Sequence, residues 1–376
     1  MLIVGPAWPL RAGGMATFNE QMAYSLQEQG HQVEIITFSM QYPSWLFPGK
    51  TQMSDEPAPE GLNIRVLLHA LNPINWLITA RYVRQYRADY LILRYWMPFM
   101  APCLGMLSFW STFLGSKAIR IALADNIIPH ESFPLSRVLT KFFLAQTDSA
   151  ATLSDSVRAD LMALGYRKPS IRLKHPLYDN FGAPVDRETA CNTLGLDPGF
   201  TYFLFFGFIR AYKGLDLLLE AFADERLRSQ NVKLIVAGEF YESPDRYNRI
   251  IRERNLAPHL VLLTRFIRHD EVRFLFSAAQ LVTQTYHHAT QSGVTQIGFH
   301  YHTPMLVTDV GGLAELVDHD RSGYVCPPNP EKIADHMIDF MMNKRYAEMS
   351  AHVAVKKQEF SWEEFVRKLL SSGSPT

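Results

Sequence analysis

Tyr202-Phe203-Leu204-Phe205-Phe206-Gly207-Phe208-Ile209-Arg210-Ala211-Tyr212-Lys213-Gly214-Leu215-Asp216 is the stretch on which the fold turns. Its first five residues carry no charge and read as a strand buried on both faces, the kind a parallel sheet requires. The run stops at Gly207 and a helical pattern starts after Gly214, so the connecting turn carries two cations, Arg210 and Lys213. Ligands of open parallel sheets bind beyond the carboxyl ends of the strands. A guanidinium offers forked hydrogen bonds to phosphate and an ammonium offers a compact charge, so the pair suits a diphosphate. Two solvated cations are the plainer reading, but a helix dipole disfavours cations at its start unless an anion shares the site.

The same alternation of short apolar runs and amphipathic stretches extends in both directions. Downstream, strands are expected at Lys233–Ala237, Val261–Leu263, Leu281–Thr283, Met305–Val307 and Tyr324–Cys326. Upstream they are expected at Leu2–Gly5, Val33–Phe38, Ile64–Leu68, Tyr90–Leu93, Ala118–Ala122 and Ala150–Leu153. A helix is expected over Met15–Gln29, with Gly30 as its C-terminal stop. This β–α order implies parallel, doubly wound sheets, and the polar lapse from Pro184 to Pro198 divides them into two. The expected division is 1–184, 185–360 and a terminal helical segment over 361–376. The length of 376 residues fits two domains better than one core.

Composition narrows the function. Lysine plus arginine and aspartate plus glutamate are 37 each, a balance that speaks against a nucleic-acid binder. Cys103, Cys191 and Cys326 are odd in number and far apart, which argues for buried thiols rather than a disulfide framework. The chain opens on a strand, Leu2-Ile3-Val4, instead of a basic and then apolar leader, so a cytoplasmic location is expected. From Tyr90 to Gly115 the only charge is Arg94, a length that could mimic a membrane span. Pro98, Pro102, Gly105 and Gly115 interrupt it, so it reads as a buried strand followed by a buried helix over Ala101–Phe113. A surface helix that touches a membrane is the alternative.

Three further turns follow strands. Gly13-Gly14 opens the first long helix, where backbone N–H groups can face an anion or a sugar hydroxyl, or serve only as a turn. Its surroundings lack the GxGxxG spacing of a dinucleotide fold. Tyr286-His287-His288-Ala289-Thr290-Gln291-Ser292-Gly293-Val294-Thr295-Gln296 again runs from a strand into a helix. That helix start can offer N–H donors to phosphate, and its polar side chains can reach a sugar or a ribose. Adjacent histidines on a loop point apart and no acidic third ligand is evident, so a metal site is not expected there. Asp309-Val310-Gly311-Gly312-Leu313-Ala314-Glu315 allows close backbone approach, and Glu315 serves either as a ligand group or as first-turn capping chemistry.

Taken in order, Gly13-Gly14, Phe206–Gly214, Asp309–Glu315 and the terminal Phe360-Ser361-Trp362-Glu363-Glu364-Phe365 resemble a large family of retaining glycosyltransferases. That family includes sucrose synthases and many bacterial cell-envelope transferases. The resemblance implies an α/β fold of two Rossmann-like doubly wound parallel-sheet domains (GT-B) facing across a cleft. It implies a hexosyltransferase-like enzyme with a nucleotide-diphosphate sugar as donor, a saccharide or lipid-linked acceptor, and no metal or other cofactor. Arg210 and Lys213 match the pair that neutralises the leaving diphosphate, while Gly13, Gly14, Gly207, Gln291, Ser292, Gly293 and Glu315 match substrate-contacting positions. Asp125 and His130 lie near where the family places a histidine beside the reacting sugar, and each is a catalytic candidate. The sequence departs from the family at His288 and Gln296, where two glutamates eight positions apart are usual. Gln296 retains the ability to hydrogen-bond ribose hydroxyls. A peripheral contact with the inner membrane face follows from the same resemblance. The rival readings are a degenerate binding partner on the same fold and a nucleotide-sugar epimerase or phosphorylase. The carboxylate constellation of an epimerase and the cofactor lysine of a pyridoxal-dependent phosphorylase are not evident.

Overall fold

The computed structural model describes residues 1–11, 14–43, 51–54, 56–128, 135–289 and 292–373. Two compact units are present, Met1–Pro176 with Phe360–Thr376, and Leu177–Glu359. Residues 177–184, read from the sequence as the end of the first domain, join the second unit because their contacts lie there. Tyr301 Oη donates to Gly182 O at 2.9 Å, and Asn180 Nδ2 lies 3.0 Å from His269 Nε2.

In the first unit seven strands form one parallel sheet. They are β1 (Leu2–Val4), β2 (Glu34–Met40), β3 (Asn63–His69), β4 (Tyr90–Tyr95), β5 (Ile119–Ala124), β6 (Ser149–Thr152) and β7 (Ser170–Arg172). Their order is β3-β2-β1-β4-β5-β6-β7. The chain winds away from β1 in one direction and from β4 in the other, leaving a crevice between those two strand ends.

Four helices matter below: α1 (Gly14–Glu28), α2 (Pro73–Tyr86), α3 (Ala101–Phe113) and α4 (Ser136–Ala145). α1 turns its Phe18, Met22 and Leu26 stripe inward and is followed by Gly30 at φ 85°, a left-handed stop that glycine adopts freely. Asn72 caps α2 by accepting from the amides of Ile74 and Asn75, with Pro73 at the first helical position. Right-handed crossovers place α2, α3 and α4 on one face of the sheet. There α3 packs against both neighbours, and the three cover a core that includes Leu91, Leu93, Leu104, Leu107 and Phe143.

α3 corrects one expectation. Cys103, Leu104, Leu107 and Ser111 are buried, but Phe109 and Phe113 are exposed. A helix apolar on all sides cannot reveal from sequence which side meets the core, and only one side of α3 does.

The second unit holds six parallel strands, β8 (Thr201–Phe206), β9 (Val232–Ala237), β10 (Leu260–Leu263), β11 (Leu281–Gln284), β12 (Met305–Thr308) and β13 (Gly323–Cys326). Their order is β10-β9-β8-β11-β12-β13, so the winding reverses between β8 and β11. Its core runs from Phe203 and Leu234 to Phe222, Ile333 and Phe340.

Candidate functional site

The reversal between β8 and β11 brings the two richest motifs side by side, because Gly207–Lys213 leaves β8 and Tyr286–Gly293 leaves β11. Gly207 adopts φ 100°, and a side chain added there would stand 2.9 Å from Lys213 Nζ. The missing Cβ is thus what lets the ammonium fold back against the strand end. Arg210 precedes a single 3-10 turn over Ala211–Lys213, and its guanidinium lies 5.1 Å from the centre of the Tyr241 ring. Among the described residues neither Arg210 nor Lys213 forms an ion pair with a carboxylate. Desolvation lowers the pKa of Lys213, opposed by Tyr212 and reinforced by Arg210. Two half-buried cations held together without a counter-ion repel one another and favour an arriving anion.

Backbone geometry fixes this turn to the neighbouring loop. Thr285 Oγ1 donates to Gly214 O at 2.8 Å, and the His287 amide donates to Tyr212 O at 2.7 Å. His287 Nε2 also lies 3.1 Å from Asp216 Oδ1, and Arg246 holds the same carboxylate at 2.5 Å. His287, weighed above as a metal ligand, is therefore a strut between the two loops. Gly214 sits at φ 64°, where a Cβ would come within 1.8 Å of Thr285 O. Gly214→Ala is expected to cost at least about 1–3 kcal/mol from backbone strain alone, with the clash added. Urea unfolding measures the loss, and activity should fall further than stability because the cation turn must shift.

The helix Gly293–His300 begins with Ser292 as its cap, whose Oγ accepts from the Val294 amide. A fully polar network backs it. Gln284 Nε2 donates to Ser292 Oγ at 2.6 Å, Thr295 Oγ1 donates to Gln284 Oε1 at 2.6 Å, and Tyr286 Oη lies 3.2 Å from Ser292 Oγ. Gln296 is fully buried, yet both ends of its amide lack a hydrogen-bond partner. Such a group costs free energy unless something arrives to satisfy it. His288 is exposed, and Glu315 is exposed on a 3-10 turn after β12. Gly13, His130 and Gln291 lie outside the described residues, whereas Gly14 opens α1 as expected.

Asp125 lies after a strand as expected, and it is paired with an arginine. It follows β5, and Arg94 on β4 clasps it with Nε to Oδ2 at 2.7 Å and Nη2 to Oδ1 at 2.5 Å. The guanidinium is buried and lies 4.0 Å from the centre of the Phe18 ring. Phe18 in turn packs edge-on against His175, Trp362 and Phe365, which is how the terminal helix Trp362–Ser371 is held to α1. Burial lowers the pKa of His175 to about 4. Asp125 is thus the counter-ion of a buried arginine.

Gln284, Thr285 and Asp216 were not singled out from the sequence, and His287 was weighed there only as a metal ligand. The available signal was polarity at the end of an otherwise apolar strand, Leu281-Val282-Thr283-Gln284. The Asp216–His287 pairing spans 71 positions and no local pattern announces it.

Lys213 gives a stability prediction. A lysine whose folded pKa lies below its unfolded value penalises folding while charged, so the ligand-free protein gains stability as pH rises between the lowered value and the usual 10.5. Lys213→Met should remove that penalty, raising Tm at neutral pH by about 2–4 °C for each kcal/mol relieved. Scanning calorimetry without nucleotide checks it.

Comparison with known proteins places this arrangement in a family. The profile described as "Glycosyl transferase 4-like domain" matches residues 13–176, and that described as "Glycosyl transferases group 1" matches residues 201–343. The chain belongs to the group 1 glycosyltransferase family with the GT-B fold. It is 30% identical over 216 residues to the D-inositol 3-phosphate glycosyltransferase of Gordonia bronchialis, spanning 51% of this chain and 44% of that one. The chain thus spans about half the length of the first curated relatives it matches. It is 24% identical over 358 residues to the O-antigen chain mannosyltransferase C of Escherichia coli, spanning 91% of this chain and 90% of that one. Among solved structures, sucrose-phosphate synthase from Thermosynechococcus elongatus superposes with a TM-score of 0.78 at 15% identity, covering 98% of this chain and 97% of that one. Anabaena Alr3699/HepE in complex with UDP and glucose does so with 0.74 at 16%, covering 99% of each.

Proposed function

We propose that the chain is a retaining glycosyltransferase that moves a hexose from a nucleotide-diphosphate sugar to an acceptor hydroxyl. The observation that carries this reading is the unpaired Arg210–Lys213 cation turn at the β8–β11 switch point, beside the start of helix Gly293–His300. The diphosphate lies against the two cations and the start of that helix, whose dipole favours negative charge. Gln296 turns its unsatisfied amide to the ribose hydroxyls, and His288 and Glu315 flank the sugar.

The transition state is a sugar cation beside a departing anion, so stabilising the leaving diphosphate is the principal demand. The acceptor attacks the face the phosphate leaves, and a phosphate oxygen takes the acceptor proton, which gives retention. The cations do the work that a divalent ion does elsewhere, so turnover should survive chelation. The relatives' names, an O-antigen chain mannosyltransferase and a D-inositol 3-phosphate glycosyltransferase, support an acceptor in polysaccharide or glycolipid synthesis.

A screen of nucleotide diphosphates and their sugars, read by calorimetric binding and donor hydrolysis, tests the reading. Binding of a nucleoside diphosphate with slow hydrolysis of its sugar is the expected result. Binding without turnover of any donor or acceptor would favour a degenerate partner that has lost the two glutamates of the family.

The pH profile carries the lysine's signature. Lys213 loses its proton at lower pH than an ordinary lysine, so kcat/KM in the ligand-free enzyme should fall on the alkaline side. Arginine does not titrate there, and Lys213→Arg should flatten that limb even though its overall rate is lower.

A further inference from the structure

We propose that Glu242, on the loop after β9, is a positioning residue that fixes Arg210 for the diphosphate. This role rests on the cation turn of the transferase reading and accounts for what holds that turn in shape. A carboxylate beside two cations that await an anion looks misplaced, because it repels the ligand they attract. Its bonding explains its presence. Glu242 Oε2 accepts from the Ala211 amide at 2.8 Å, and Glu242 Oε1 accepts from the Tyr247 hydroxyl.

The Ala211 amide needs such an acceptor. It opens the 3-10 turn Ala211–Lys213, and the first N–H groups of a helical turn have no partner within it. Arg210 holds the capping position, but its side chain makes no capping bond there and its guanidinium lies over the Tyr241 ring. A side chain that must meet a ligand cannot also cap its own turn, so Glu242 does so from the neighbouring loop. The same loop grips the backbone on the other side of Arg210. The Ile209 amide donates to Glu239 O at 2.8 Å, and the Tyr241 amide donates to Ile209 O at 3.0 Å, which makes a parallel bridge between Ile209 and Phe240. Arg210 is thus held through both of its chain neighbours. Tyr247 sets the carboxylate in turn. It is fully buried on the helix Asp245–Glu253, and its ring centre lies 5.6 Å from that of Phe240. Burial, and then the bond to Glu242, push the pKa of the hydroxyl up, so it remains a donor.

Charge and geometry predict opposite results when Glu242 is changed. Removing the charge of a bystander carboxylate would tighten anion binding, whereas removing a positioning oxygen lets the turn relax and weakens it. Calorimetric titration of the full chain with inorganic pyrophosphate, which needs neither donor nor acceptor, decides between them. Arg210→Ala is expected to weaken binding about tenfold or more, and Glu242→Ala about three- to tenfold. Glu242→Gln should recover most of that loss, because an oxygen remains for the Ala211 amide and the NH2 group can meet the Tyr247 oxygen. In the Arg210→Ala background, Glu242→Ala should add no more than about a further twofold, since both act through one contact. Melting curves establish that each variant is folded at the temperature of titration. Unchanged or tighter binding by Glu242→Ala, no recovery by Glu242→Gln, or a full additional loss in the double variant would overturn the role of Glu242 and leave the cation turn standing. No binding by the parent, or binding indifferent to Arg210→Ala, would sink the cation turn as a diphosphate site and the role of Glu242 with it.

Discussion

Alanine at Arg210 or at Lys213 is expected to lower turnover of the donor by roughly 100- to 1,000-fold, or about 2.7–4 kcal/mol of transition-state stabilisation. The loss should fall mainly on kcat. Each cation meets the diphosphate in the ground state, but the contact strengthens as negative charge gathers on the departing phosphate, and only that increment accelerates the chemical step. Neither side chain supports the core, and Lys213 even penalises the ligand-free fold, so both variants should unfold no earlier than the parent. Lys213→Arg should recover only part of the rate, because the space left by Gly207 admits an ammonium folded back on the strand, not a planar fork. Steady-state kinetics on the cognate donor measures the effect. Near-parental turnover in both alanine variants would remove the cation turn from the mechanism.

The fold was legible because a parallel sheet buried on both faces demands uncharged strands, and this chain supplies them at regular intervals. Twelve strands expected from composition and turn residues are present. β7 was not foreseen, since Ser170-Ile171-Arg172 is a three-residue edge strand with one apolar side chain. The strand order could not be read, because pairing in a sheet is a long-range property. That order is what unites the cation turn with Tyr286–Gly293, two motifs the sequence offers only as separate candidates. Glycines were informative where geometry leaves no alternative, as at Gly207 and Gly214, whose positive φ values set the path of the turn. Long-range polar contacts were not. Gln296 was a candidate only through the family resemblance, and the sequence could not show that its amide is buried without a hydrogen-bond partner. Asp125 was a candidate because it lies near where the family places a histidine, and Arg94 was noted only as the one charge from Tyr90 to Gly115. Each was half of one buried pair.

That pair carries the other large effect. Asp125→Ala should destabilise the first unit by about 3–5 kcal/mol, since it leaves the Arg94 guanidinium buried without its counter-ion. The cost should be the greater because Arg94 Nη1 already lacks a partner in the described structure. Arg94→Met alone should be comparably harmful, stranding the carboxylate instead. Combining Arg94→Met with Asp125→Leu should be far milder than the sum, because an apolar pair of similar volume requires no compensation for desolvated charge. Activity separates this role from a catalytic one. A counter-ion lost from the protein interior lowers the amount of folded enzyme, while correctly folded molecules at low temperature turn over at close to the parental rate. A group that acts on the acceptor would instead lower kcat in fully folded protein, and the double variant would stay as slow as Asp125→Ala. Denaturant titration of the three variants, with kcat measured under conditions where each is folded, distinguishes the two outcomes.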